Sequence, residues 1–271
     1  MKSASFKFIA LLGLPALLGV LPEQACLATD KGGKTKTLQV WALEQQHDYM
    51  GPCKVYLCSE AMRVDYVRNG ITIISRPPDW MVIAFSPIIK KYSVTKPQAV
   101  RGVFTFAMTM GTGRDVAGLP LSLQGHCTTS GIKAASYITT KKFEDEQMRE
   151  FANHEIHPSS VRSAVYQVAD SLKTPAQQNF IMARIYGCPV SEGIPLELTY
   201  KRVRAGQITY LSTKSCKKTS VPASNFNLPS GYSRVPSMGS LLAETNSGKG
   251  GIGLILHEMD KTKEFPLPTR D

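Results

Sequence analysis

Apolar and polar positions alternate with a period of two through much of the first hundred residues, the pattern of strands with one dry and one wet face. Leu38-Gln39-Val40-Trp41-Ala42-Leu43 alternates in part and is predicted as the opening strand. Lys54–Tyr66 reads as one long extended stretch, with Met62, Val64 and Tyr66 on one face and Arg63 and Asp65 on the other. Asn69-Gly70 predicts a hairpin turn, because both residue types tolerate positive φ. Ile71–Ser75 returns from it, and Pro77-Pro78 breaks that strand. Trp80–Phe85 and Lys91–Val94 follow, which makes the first half an antiparallel meander of short strands.

The second half mixes periods. Gln98–Met110 predicts a helix, with Val100, Val103, Phe104 and Ala107 at helical spacing and Gly111-Thr112-Gly113 as its stop. A charged helix is expected over Phe143–Asn153 and a strand over Val161–Asp170; the rest of residues 97–160 carries no clear period. Pro175–Tyr186 is the best-signalled helix, with Thr174 as N-cap, Pro175 at the first helical position, Gly187 after the last turn and Pro189 forbidding continuation. Ile194–Arg202 and Gln207–Lys214 are predicted strands joined by the hairpin loop Val203-Arg204-Ala205-Gly206. Pro222–Val235 is an irregular closing segment with a turn at Pro229-Ser230-Gly231-Tyr232, and beyond Pro236 a Ser/Gly-rich tail, 236–271, is expected to be loose. No internal repeat is evident.

The N-terminus changes the picture most. Lys2 and Lys7 precede an almost wholly apolar run, Phe8–Leu21, and small residues surround Cys26-Leu27-Ala28. This is the layout of a secretory signal peptide, residues 1–28, cleaved after Ala28, followed by a polar leader, 29–36. Two alternatives stand beside it. An uncleaved anchor would need about 20 apolar residues, more than this run supplies. A lipoprotein signal would put a small or branched apolar residue before Cys26, where Glu23-Gln24-Ala25 stand. Export implies a periplasmic or secreted protein and an oxidising compartment that permits disulfides. Cleavage leaves five cysteines, an odd number. Cys188 and Cys216 are the best candidate pair; Cys53 and Cys58 could bridge only across a turn.

The 271 residues carry 42% apolar and 20% charged residues, enough for a single cored domain over 37–235. The net charge of +11 falls by one when Lys2, Lys7 and Glu23 leave with the signal peptide. The basic residues are scattered and no aromatic-rich basic stretch is present to stack bases. Nucleic acid is therefore not expected as a partner; an anionic membrane surface is a second reading of what is otherwise a solvated basic surface.

Candidate chemistry is sparse. His154-Glu155-Ile156-His157 has i, i+3 spacing where a zinc-protease helix needs i, i+4, and Pro158 follows at once. Gly248-Lys249-Gly250-Gly251-Ile252-Gly253 lacks the order of a phosphate loop, and no Gly-x-Ser-x-Gly elbow exists. Asp65 and Asp79 have no reason to stand together. Arg63 and Asp65 share a strand face as a polar latch, a ligand contact or a surface ion pair. No catalytic residue, metal ligand or cofactor is expected, and a hydrolase is the least favoured reading.

Lys54–Leu57, Ala61–Tyr66, Gly70–Ile74, Ser86-Pro87 and Lys91-Tyr92 together resemble the opening strands of the LolA/LolB-like superfamily. Gly193-Ile194-Pro195-Leu196 and the Val221–Tyr232 ending are similar to that superfamily's closing segments. The resemblance covers residues 38–235. It implies a mainly β fold with α: a curved antiparallel sheet, or half-barrel, whose concave apolar face is covered by helices. It further implies a non-enzymatic role in binding lipid or another hydrophobic small molecule in the bacterial cell envelope, with an envelope protein as a conceivable partner. A cavity under a helical cover would be lined by Val55, Leu57, Val64, Ile73, Val82, Phe85, Leu196 and Leu198, although a one-residue slip inverts any strand. Met108, Met110 and Met182 would suit a yielding lining. The alternative is an envelope interaction module with a filled core and no ligand.

Overall fold

Strand alternation builds one open, curved sheet of twelve strands in a computed structural model that describes residues 36–100, 116–204 and 206–246. The strands are β1 (Thr37–His47), β2 (Gly51–Cys58), β3 (Ala61–Tyr66), β4 (Ile71–Ser75), β5 (Val82–Ser86), β6 (Lys91–Thr95), β7 (Leu121–Thr129), β8 (Ile132–Thr139), β9 (Val161–Ala169), β10 (Ile194–Arg202), β11 (Gln207–Pro222) and β12 (Ser233–Arg234). Their spatial order is β12-β6-β5-β4-β3-β2-β1-β11-β10-β9-β8-β7. Two meanders, β1–β6 and β7–β11, are thus zipped together by the β1–β11 pair. Every pairing is antiparallel except the short β12–β6 contact. Three helices complete the described fold: α1 (Lys141–Ala152), α2 (Ala176–Tyr186) and α3 (Met238–Asn246). Among the described residues, no helix is long and apolar enough to cross a membrane. The expected 98–110 helix does not start at Gln98: Pro97–Ala99 is a single 3-10 turn and Val100 is extended; its remainder with Met108 and Met110, the segment before Lys36 and the Gly248–Gly253 motif lie outside the described residues.

Several expectations change. The single extended stretch over 54–66 is a tight hairpin, β2–β3, turning at Ser59-Glu60, where two polar residues interrupt the alternation and Cys58 pairs with Ala61. The Asn69-Gly70 hairpin forms, as a four-residue loop in which Gly70 alone takes positive φ. Helix α2 is capped by Pro175 instead of Thr174: Pro175 sits at φ −54°, ψ 141°, and the Thr174 hydroxyl turns to the Asn179 side chain. The unassigned middle contains the β7–β8 hairpin, whose turn residues Ser130 and Gly131 both have positive φ. The tail is not loose from residue 236: Met238–Asn246 is helical, with Leu241 and Leu242 fully buried.

Residues directly paired across an antiparallel sheet share a face. Leu43, Val55, Val64, Ile73 and Ala84 form one such row, and all five belong to the main core. The opposite row runs Glu44, Lys54, Asp65, Thr72, Phe85 and Tyr92. Helices α2 and α3 cover the first face, contributing Ile181, Met182, Ile185, Leu241 and Leu242 to the same core. The second face carries a small core of its own, Leu38, Val40 and Ala61 under Phe226 of the strap that follows β11.

Candidate functional site

The cover helix α2 decides what the concave face can hold. Its C-terminal carbonyl, on Tyr186, accepts hydrogen bonds from the Tyr210 hydroxyl (2.6 Å) and from Nε2 of His47 (3.2 Å). The Tyr186 hydroxyl donates to Gln45 Oε1 at 2.7 Å, and Gln45 Nε2 donates onward to Pro195 O and the Thr213 hydroxyl. Near the other end, the buried Gln178 side chain donates to the carbonyls of Cys58 and Ala61 at the β2–β3 turn. Arg184 Nε donates to Val100 O at 2.9 Å. Lifting the helix would break its own bonds to His47, Tyr210, Gln45, Cys58, Ala61 and Val100, at about 1–3 kcal/mol for each buried group left unpaired. The cover is therefore pinned at both ends to the sheet.

Beneath it, among the described residues, large aromatic side chains are buried. Tyr66, Tyr166, Tyr186, Tyr200 and Tyr210 are nearly inaccessible to solvent, with His47 edge-on to Tyr210 at a centroid distance of 4.4 Å. Burial pushes the Tyr66, Tyr166, Tyr186 and Tyr210 hydroxyls well above the usual phenol range and lowers His47 to about 4, against the smaller opposing effect of its bond to Tyr186 O. Burial also raises the Cys53 thiol to about 11 and Cys188 higher still. These are groups held neutral by a dry core.

Seven of the eight residues expected to line a cavity, Val55, Leu57, Val64, Ile73, Val82, Leu196 and Leu198, do sit together in the core under the helices. Phe85 does not. It occupies the opposite face, edge-on to Tyr232 at 5.7 Å, because Val82 and Ala84 already take the core positions of β5 and one residue inverts the face. Met182 is ordinary core as well. Cys188 and Cys216 do not form the expected disulfide: both are free thiols, as are Cys53, Cys58 and Cys127. Arg63 and Asp65 are a latch, with Arg63 Nε 2.9 Å from Asp65 Oδ1 and Nη1 donating to Asn225 O at 2.6 Å, which ties the Phe226 strap to the sheet. His154 and His157 are exposed and outside any helix. Among the described residues, no group of three or more His, Cys, Asp or Glu side chains could hold a metal ion.

The open feature lies where the sheet forks. β10 pairs with β11 only as far as Leu198–Leu211; past that point β10 continues beside β9, while β11 runs on beside β1 to Pro222. The β9–α2 connection reaches the fork and leaves a cleft of about 400 Å³. The half-buried Trp41 gives it its main apolar surface, with the buried Leu57 and Leu172 behind, and Gln39, Ser59, Lys173, Thr174 and Lys218 make the rest of its lining largely polar. Lys218 is paired with Trp41 across β1–β11, and its ammonium stands 4.9 Å from the centre of the indole ring. A second, shallower cleft of about 510 Å³ shares Thr174 and exposes Phe180 and Val190. Of the residues nominated from sequence, Leu57 lines the first cleft. Trp41, Leu172, Lys173 and Lys218 were missed: alternation identifies strand faces, but not which loop will stand opposite them.

No family model and no curated protein matches the chain. Its structure is similar to several solved structures at low identity. One is an uncharacterised conserved protein from Thermus thermophilus (9% identity, 74% of this chain and 90% of that one, TM-score 0.36). Another is the lipoprotein LppX of Mycobacterium tuberculosis (12%, 65% and 84%, TM-score 0.26), and a third a LolA-superfamily protein from Nitrosomonas europaea (12%, 72% and 91%, TM-score 0.23). The last of these carries the name of the superfamily that the sequence motifs resemble. The class itself, a curved antiparallel half-barrel with a helical cover, rests on this chain's own strand order and on the helices that close its concave face.

Proposed function

We propose that this is an exported, non-enzymatic protein of the bacterial cell envelope that holds a lipid-like hydrophobic ligand at the Trp41–Leu57–Leu172 cleft. The observation that carries the reading is the cleft itself: a solvent-open recess of mixed polar and apolar lining beside a pinned helix, with the half-buried Trp41 indole as its main apolar surface and a volume in the range of small-ligand sites. The N-terminal signal pattern supports export, and the LolA-like motifs support a hydrophobic ligand. Because α2 is tied at both ends, the ligand enters at the fork; the face beneath the helix stays packed.

The test is displacement of a fluorescent fatty acid from the purified protein and from a Trp41→Ala variant. Saturable binding that weakens at least about five-fold in the variant, the loss of roughly 1 kcal/mol of contact, supports the cleft. The filled tyrosine interior favours a second reading, an envelope interaction module without a ligand, and absence of saturable binding selects it.

A further inference from the structure

The rim of the cleft is charged on one sign only. Of its ten lining residues, Lys173 and Lys218 carry charge and both are cationic. Both are exposed, and among the described residues neither ammonium is engaged in an ion pair. Glu60, next in sequence to the lining residue Ser59, is already paired with Lys36 at 3.2 Å. Lys173 is held in a left-handed backbone conformation, φ 46°, at the tip of the β9–α2 connection, and Lys218 is held over Trp41. The two cations thus reach the cleft from different elements, Lys173 from the loop and Lys218 from the sheet beside Trp41.

Resting on the hydrophobe-binding reading above, we propose that the cleft selects amphiphiles with an anionic head, the carboxylate or phosphate held by Lys173 and Lys218 and the hydrocarbon chain against the half-buried Trp41 indole. An ammonium resting on an indole face is a weakly satisfied cation, and an anionic head gives it a better partner without moving it from the rim. A neutral head offers neither lysine a charge, and a cationic head is repelled by both. The preference is electrostatic and solvent-exposed, so salt reduces it.

The experiment displaces one fluorescent fatty acid with three competitors of equal chain length, dodecanoate, dodecanol and dodecyltrimethylammonium, each below its micelle concentration, on the wild-type protein and on a Lys173→Gln/Lys218→Gln double variant. The expected result is dodecanoate binding at least about five-fold more tightly than dodecanol, dodecyltrimethylammonium weakest, and the three converging in the double variant and in high salt. Circular dichroism of the double variant confirms that it is folded. Equal displacement by all three, or a preference that survives in the folded double variant, overturns the proposal while leaving hydrophobe binding intact. Failure of every competitor and of the probe to bind overturns both.

Discussion

His47 and Tyr186 join the first strand to the end of the cover helix: the imidazole Nε2–H donates to the Tyr186 carbonyl at 3.2 Å, while Nδ1 accepts the backbone N–H groups of Tyr49 and Met50 at 3.2 and 3.3 Å. Both ring nitrogens are committed, and the arrangement requires the neutral ring, since protonation at Nδ1 would turn an acceptor of two bonds into a donor facing two donors. In the folded protein His47 stays neutral down to about pH 4, whereas an unperturbed histidine titrates near 6.5. Between those values the unfolded chain binds more protons, so stability falls as pH drops from about 6.5 to 4. The total is about 3 kcal/mol. Urea unfolding at pH 7 and pH 4.5 should show this loss in the wild type and a flatter pH dependence in His47→Gln. Parallel pH profiles would show that His47 is not the titrating group.

Gly193 immediately precedes β10 and packs against the end of β9. A Cβ there would stand 2.1 Å from the Ala169 carbonyl oxygen, a backbone atom that cannot swing aside. Gly193→Ala should cost at least about 2 kcal/mol, read as a lowered denaturation midpoint. Gly206→Ala, whose Cβ would meet nothing within 4 Å, is the control and should leave the midpoint nearly unchanged.

These positions show what was legible from sequence. The first meander, the β9, β10 and β11 strands and α2 with its left-handed Gly187 follow from alternation, helix-stop chemistry and the turn residues. The β7–β8 hairpin did not, although Ser130-Gly131 is a turn dipeptide. β7 is a sheet edge with Leu123 exposed, so its apolar residues do not mark a buried face. The length of β11 was hidden because Lys214, Lys217 and Lys218 make its second half polar, as befits a stretch that pairs with β1 past the end of the β10 ladder. The cleft depends on Leu172 and Trp41, more than a hundred residues apart, meeting across a fork that no local pattern encodes.

The five described cysteines should separate by burial. Cys53 and Cys188 are dry and their thiols are held protonated. At pH 8 they should resist alkylation while the half-buried Cys58 and Cys127 react, and all five should label after denaturation without reductant. An intact mass showing a Cys188–Cys216 bridge would contradict this structure.

Helix α3 extends the cover beyond the expected domain boundary. Leu241 is fully buried, and Glu244 pairs with Lys91 of β6 at 2.5 Å. Leu241→Ala should cost about 2–5 kcal/mol, as for any leucine removed from a packed core. Glu244→Gln, which weakens the solvent-exposed ion pair with Lys91, should cost less than about 1 kcal/mol. Equal effects in chemical denaturation would argue that α3 does not close the core.

The most direct test uses the indole in the cleft wall. The chain has two tryptophans, so Trp80→Phe leaves Trp41 as sole reporter. Titration with a brominated fatty acid, whose bromine quenches on contact, should quench Trp41 saturably at one equivalent, and unbrominated dodecanoate should reverse it. Emission that stays constant while the protein remains folded would contradict a hydrophobe site at Trp41 and leave the half-barrel as a filled scaffold.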